Sequence, residues 1–159
     1  MTELWSVKYG LDNIDDVETR IARRSPMAEQ KFDALMKADP DQREKYFYNQ
    51  CADHQEVWIV WDDDILPIYN GERGELINVW PDQEFAKKCH FPSVKNPKVT
   101  PIPLNDFMDK FLQKEPNVEL SIFPIGPNSL TKVIQIESFA ITLSNELARY
   151  QTIPNPKHF

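Results

Sequence analysis

Residues 56–64 read EVWIVWDDD. From Val57 to Trp61 every side chain is apolar, and three aspartates, Asp62, Asp63 and Asp64, close the run. A short apolar run rich in β-branched and aromatic residues reads as a strand. This one is too apolar to leave one face fully wet, so helices must shield it. ILPIY (65–69) reads as a second strand, which Pro67 restricts to an edge or a bulge. Asn70-Gly71 within NGERGE is a hairpin signal, and LINVW (76–80) is the third strand.

Upstream of this block the pattern is helical. Ile14, Val17 and Ile21 share one face, with acids first and arginines last. Ser25-Pro26 opens a helix carrying Ala28, Phe32, Leu35 and Met36. Asp39-Pro40 opens the next, and Gln42 stands three residues after Asp39 as in a capping box. This helix presents Tyr46, Phe47 and Cys51. Downstream, Pro81 starts a short helix with Phe85, Ala86 and Cys89. FPSVKNPKVTPIP reads as an extended loop ending in a short strand. In LNDFMDKFLQKE, Leu104, Phe107, Met108, Phe111 and Leu112 form an apolar stripe that Pro116 ends. VELSIFPI and LTKVIQI flank GPNS as a second hairpin. A last helix carries Ala140, Leu143, Leu147 and Tyr150.

Hairpins interspersed with helices predict a single α+β domain. Its sheet is largely antiparallel, with about five or six strands and helices packed on it. Residues 1–30 form a helical extension, 31–151 the α+β domain and 152–159 a tail.

Composition removes several functions. The net charge is −7, which opposes binding to nucleic acid or anionic membrane. The amino terminus is acidic without an apolar run, so it does not read as a secretory signal, and no segment suits a membrane helix. Two cysteines make no disulfide framework and suit a cytosolic protein. With only four glycines, none followed by lysine, there is no phosphate-cradling loop. Asp62 to Asp64 therefore lack the partner that a magnesium-holding strand end requires. They read instead as a turn between strands. Cys51, His54, Cys89 and His90 offer zinc-type ligands, but adjacent side chains diverge and Cys51 lies on an apolar helix face. No nucleophile elbow occurs. No catalytic residue, metal site or cofactor is predicted.

Val57-Trp58, Val79-Trp80-Pro81, Glu84-Phe85-Ala86, Ile102-Pro103-Leu104 with Phe107, and Ile122-Phe123-Pro124 follow one another in order. This succession, from about Phe32 to Tyr150, resembles the bacterial domain-of-unknown-function family 2750. The resemblance implies an α+β fold in a bacterial cytosolic setting. It implies no activity, cofactor or catalytic residue, and its matching positions look like fold determinants.

Two function classes remain. The first is a non-catalytic protein-binding module, similar in size and acidity to immunity or antitoxin proteins, that takes a basic partner. Trp61 would be its anchor, and Asp62, Asp63, Asp64, Glu72 and Glu75 its acidic face. The two acidic turns belong to successive strands, which tends to place them at opposite sheet ends. The second is an enzyme or metal-binding regulator with a site assembled from distant carboxylates and His or Cys. Carboxylates gathered in a deep pocket with His54 or His90 would favour it.

Overall fold

The apolar run forms β1 (Glu56–Asp62), with residues 56–61 all buried. The computed structural model describes residues 28–114 and 117–152. The predicted helix with Ile14, Val17 and Ile21, its neighbour's Ser25-Pro26 start, and the tail from residue 153 lie outside them. The chain order continues from α1 (Glu29–Met36) and α2 (Pro40–His54) through β1 to β2 (Tyr69–Asn70), β3 (Glu75–Val79) and α3 (Gln83–Cys89). Then come β4 (Pro97–Pro103), α4 (Leu104–Lys114), β5 (Glu119–Ile122), β6 (Lys132–Gln135) and α5 (Ile136–Thr152).

The capping box of α2 forms as its residues predict. Asp39 accepts from the Gln42 backbone N–H at 2.8 Å, and Gln42 Oε1 accepts from the Asp39 N–H at 3.1 Å. Two orphan donors of the first turn are thereby satisfied. The helix stops at Gln55, whose left-handed φ of 54° turns the chain directly into β1.

β1 pairs antiparallel with β4 along its whole length, from Glu56 opposite Pro103 to Asp62 opposite Pro97. The extended loop predicted around residues 91–103 is thus, from Pro97 on, a seven-residue strand. Its prolines fit for a geometric reason. Trp58 exchanges both backbone hydrogen bonds with Trp80, at 3.0 and 2.9 Å, so its N–H and C=O face away from β4. Trp58–Pro101 is therefore a non-hydrogen-bonded pair, and so, by alternation, are Glu56–Pro103 and Asp62–Pro97. Every strand proline turns its missing donor to the outer edge, which suits an edge strand. Conversely, the predicted ILPIY strand shrinks to the Asp62–Ile65 bridge and the two residues of β2.

β2, β3, β5 and β6 form a second sheet in that order, and the Trp58–Trp80 bridge couples it to β1. Three of its contacts are antiparallel, but β3 and β5 run parallel. Register assigns the two faces. Ile77, Val79, Leu120, Ile122 and Ile134 share one, in the core with Phe47 of α2 and Phe139 and Leu143 of α5. Phe139 gathers Phe47, Tyr48 and Phe107 at ring separations of 5.7–6.0 Å. Leu76, Asn78, Glu119, Ser121, Val133 and Gln135 occupy the opposite face.

Arg43 is buried, and among the described residues its guanidinium bonds backbone carbonyls. Its Nε donates to Phe123 O at 3.1 Å, Nη1 to Ala38 O at 2.7 Å and Nη2 to Leu130 O. One planar group thus fastens the long β5–β6 connection to α2. Phe123, at the start of that connection, has a φ of 55°. Its ring packs 4.5 Å from Phe85, which also stacks on Phe32.

Trp80 is 2% exposed and its indole N–H donates to Pro124 O at 2.8 Å. Trp80→Ala should lower stability by about 3–5 kcal/mol in chemical denaturation. A loss below about 1 kcal/mol would show that the ring contributes little to the core.

Both cysteines are core residues. Burial pushes the Cys51 thiol well up. It raises Cys89 to about 11 from an ordinary 9.0, and Cys89 Sγ lies 3.6 Å from Met36 Sδ. Iodoacetamide at pH 8 should leave both thiols unmodified in the folded protein and alkylate both in urea. The folded-state value of Cys89 lies above the unfolded one. Its contribution to stability is therefore full below pH 9 and is lost as pH rises through 11. Native alkylation of either thiol at the unfolded rate would contradict this burial.

Candidate functional site

The Trp58–Trp80 bridge decides where the acidic loops lie. It runs β1 and β3 in opposite directions, so the end of β1 and the start of β3 point the same way. Counting equally from the bridge along both strands brings Asp62 level with Leu76. Leu76 pairs with Tyr69 on one side and Glu119 on the other, and Glu119 pairs with Gln135. The aspartate turn, the 71–74 hairpin tip, the start of β5 and the end of β6 therefore share one end of the sheet. The expected separation of the two acidic turns does not arise, because β1 and β3 are joined directly and β2 is inserted beside them.

The aspartates form a tight turn. Asp62 N–H donates to Ile65 O at 2.8 Å, and Ile65 N–H donates to Asp62 O at 3.0 Å. Asp63 takes a φ of 55°, which Asp and Asn tolerate better than most residues. The Asp62 carboxylate accepts from the backbone N–H of Lys95 at 3.3 Å and of Asn96 at 3.0 Å. Asp63 accepts from the Asn96 side-chain amide at 3.0 Å. Asp62 and Asp63 thus tie the turn to the segment entering β4, and Asp63 and Asp64 remain exposed. Trp61 corrects the expected anchor. It is 1% exposed, because both faces of β1 are covered, and offers no ring to a partner.

The hairpin tip closes over a buried carboxylate. Gly71 N–H donates to Gly74 O at 2.7 Å, and the Arg73 backbone N–H donates to Glu119 Oε1 at 2.9 Å. A Cβ at Gly71 would stand 2.7 Å from that same Oε1, and one at Gly74 2.5 Å from Asn117 O. Glycine is what lets the loop approach so closely. Glu119 is 6% exposed, whereas Glu72 and Glu75 are exposed. Beside Glu119 opens a cavity of about 620 Å³, lined mainly by polar groups including Asn70, Glu72, Arg73, Gln135 and Ser138. That volume lies in the range of small-ligand sites.

Glu119 did not stand out in the sequence. Its signal was the period of two in VELSI, which puts Glu119 and Ser121 together on a strand face. Its burial depends on a parallel β3–β5 pairing and a folded hairpin, neither of which is local.

The other candidates sit elsewhere. His54 ends α2 beside the start of β1, at the other end of that strand from Asp62, and is exposed 3.7 Å from Asp53. His90 follows α3 and lines a small separate cavity with Asn78 and Tyr69. Among the described residues, no three His, Cys, Asp or Glu side chains are grouped to hold a metal ion. No helix among them is long and apolar enough to cross a membrane. Tyr46 donates to Asp82 Oδ2 at 2.9 Å, and Asp82 Oδ1 caps α3 by accepting from Phe85 N–H at 3.3 Å. Burial raises the pKa of both Tyr46 and Asp82 above their ordinary values.

No curated protein and no solved structure matches the chain. Residues 44–143, more than half of the sequence, match the family described as protein of unknown function, DUF2750. Within that span Val57, Trp58, Val79, Trp80, Phe85, Ala86, Ile102, Leu104, Phe107, Ile122 and Phe123 are all buried, so the motif positions build the core. The chain belongs to the DUF2750 family.

Proposed function

We propose that this chain is a non-catalytic binding module of the bacterial cytosol, immunity- or antitoxin-like in size and acidity, that receives a basic protein partner. Its receiving surface is the sheet end carrying Asp63, Asp64, Glu72 and Glu75 around the Glu119 cavity. The observation that carries this reading is the antiparallel Trp58–Trp80 bridge, which gathers two acidic turns at one end. A partner of opposite charge would be steered there by their summed field. The enzyme or metal-regulator reading called for a carboxylate pocket joined by His54 or His90. The described lining of the Glu119 cavity contains neither.

The test spares Asp62, whose carboxylate holds the 95–96 backbone. The full chain is used to capture a basic partner from a bacterial lysate, and association is timed against Asp63→Asn/Asp64→Asn/Glu72→Gln/Glu75→Gln. The variant should keep the fold, since all four side chains are exposed. Association should slow several-fold at low salt, and the difference should shrink at high salt as screening grows. An unchanged rate at low salt would reduce these residues to turn formers.

A further inference from the structure

Glu119 presents a specific electrostatic problem. Its carboxylate is buried, one oxygen is taken by a backbone N–H, and among the described residues no ion pair includes it. Arg73 contributes its backbone amide to this carboxylate. A buried carboxylate is costly unless a cation or several donors compensate it. On the same sheet face Asn78 is 8% exposed, its side-chain oxygen has no hydrogen-bond partner among the described residues, and the residue lines the separate small cavity. Among the described residues, the hydrogen-bond donor that Glu119 meets in the large cavity is the Arg73 amide. The cavity also has an apolar flank. Leu76 lines it, and Val133, 46% exposed, stands at the β6 edge of the same face.

We infer that the Glu119 cavity is a socket for one guanidinium group on an alkyl stem, the chemistry of an arginine side chain. The fork would meet Glu119 with Gln135 and Ser138 beside it, and the stem would lie along Leu76 and Val133. A guanidinium carries five donors in one plane and is weakly hydrated, which suits a half-enclosed site with several acceptors better than a compact ammonium does. Methylene stems gain by covering exposed apolar surface. The inference rests on the reading of this sheet end as a binding surface and names the group that it takes.

The experiment is an NMR titration of the ¹⁵N-labelled full chain with n-butylguanidinium chloride at 0.15 M salt, with n-butylammonium and n-butanol as controls. Saturable shifts are expected at the amides of Gly71, Arg73, Gln135 and Ser138, stronger with guanidinium than with ammonium and absent with butanol. Glu119→Gln should weaken binding by at least about tenfold, as loss of a hydrogen-bonded charge partner does. Should that variant fail to fold, Gln135→Lys decides. Gln135 is exposed and directly across from Glu119, so its ammonium would occupy the site from within and abolish binding with the fold retained. Shifts that spread over Asp63, Asp64 and Glu137 without saturating, or saturable binding unchanged in Gln135→Lys, would overturn the socket. Because the probe needs no protein partner, its failure is separate from a failure of the capture experiment. A partner whose association depends on the acidic turns, with no butylguanidinium site, would sustain the binding surface and remove only the socket.

Discussion

The reciprocal backbone hydrogen bonds between Trp58 and Trp80 govern the rest of this structure. They are two bonds at the junction of two sheets, and they have consequences in both. By turning the Trp58 amide toward β3 they leave β4 in a register that its prolines can occupy. By fixing the relative direction of β1 and β3 they bring Asp62 to the level of Leu76 and Glu119. The side chains reinforce the junction, since both indoles are buried and Trp80 reaches Pro124, just past the end of the neighbouring β5. A buried indole with a satisfied N–H supplies apolar area without an orphan donor.

Around this junction the molecule divides its polar groups unevenly. The helix-covered face of the second sheet is aliphatic and aromatic. The opposite face carries Asn78, Glu119 and Ser121, all three buried, alongside Leu76, Val133 and Gln135, and buried polar residues are unusual in an ordinary core layer. The hairpin is shaped to this face, since Gly71 and Gly74 allow the loop to come within backbone contact of Glu119 and Asn117. Scarce glycine is thus spent where two backbones and a carboxylate crowd together. Elsewhere strained turns are made by Gln55, Asp63 and Phe123, each held by structure on both sides. Arg43 performs the corresponding fastening on the far side, using a charge on three carbonyls.

Much was legible in the residues alone because the relevant signals are local. The Asp39–Gln42 box, the Pro81 helix start and the apolar run 57–61 each specify their element within a few residues. The buried family positions follow from periodicity. The α+β class follows from the order of such elements, and the turn role of the aspartates from their type. Readings failed where pairing across the chain intervened. Nothing local says that residues 97–103 should extend against β1, since proline is ordinarily a reason to doubt a strand. Only the parity of hydrogen-bonding positions, set by Trp80, makes those prolines harmless. Likewise the apolar run 57–61 called for cover over its strand, but only the assembled fold places that cover over Trp61 itself.

The sequence by itself determined the class of fold, most helix boundaries, the apolar core and the net negative charge. Those depend on side-chain type, spacing and capping, which act over one or two turns of chain. Tertiary structure alone decided that β3 and β5 lie parallel, that two acidic turns share one end, and that a cavity beside Glu119 rather than an exposed Trp61 ring accompanies them. Each of these joins residues distant in the chain, and a strand's direction relative to a non-neighbouring strand is set by the sheet that contains them both.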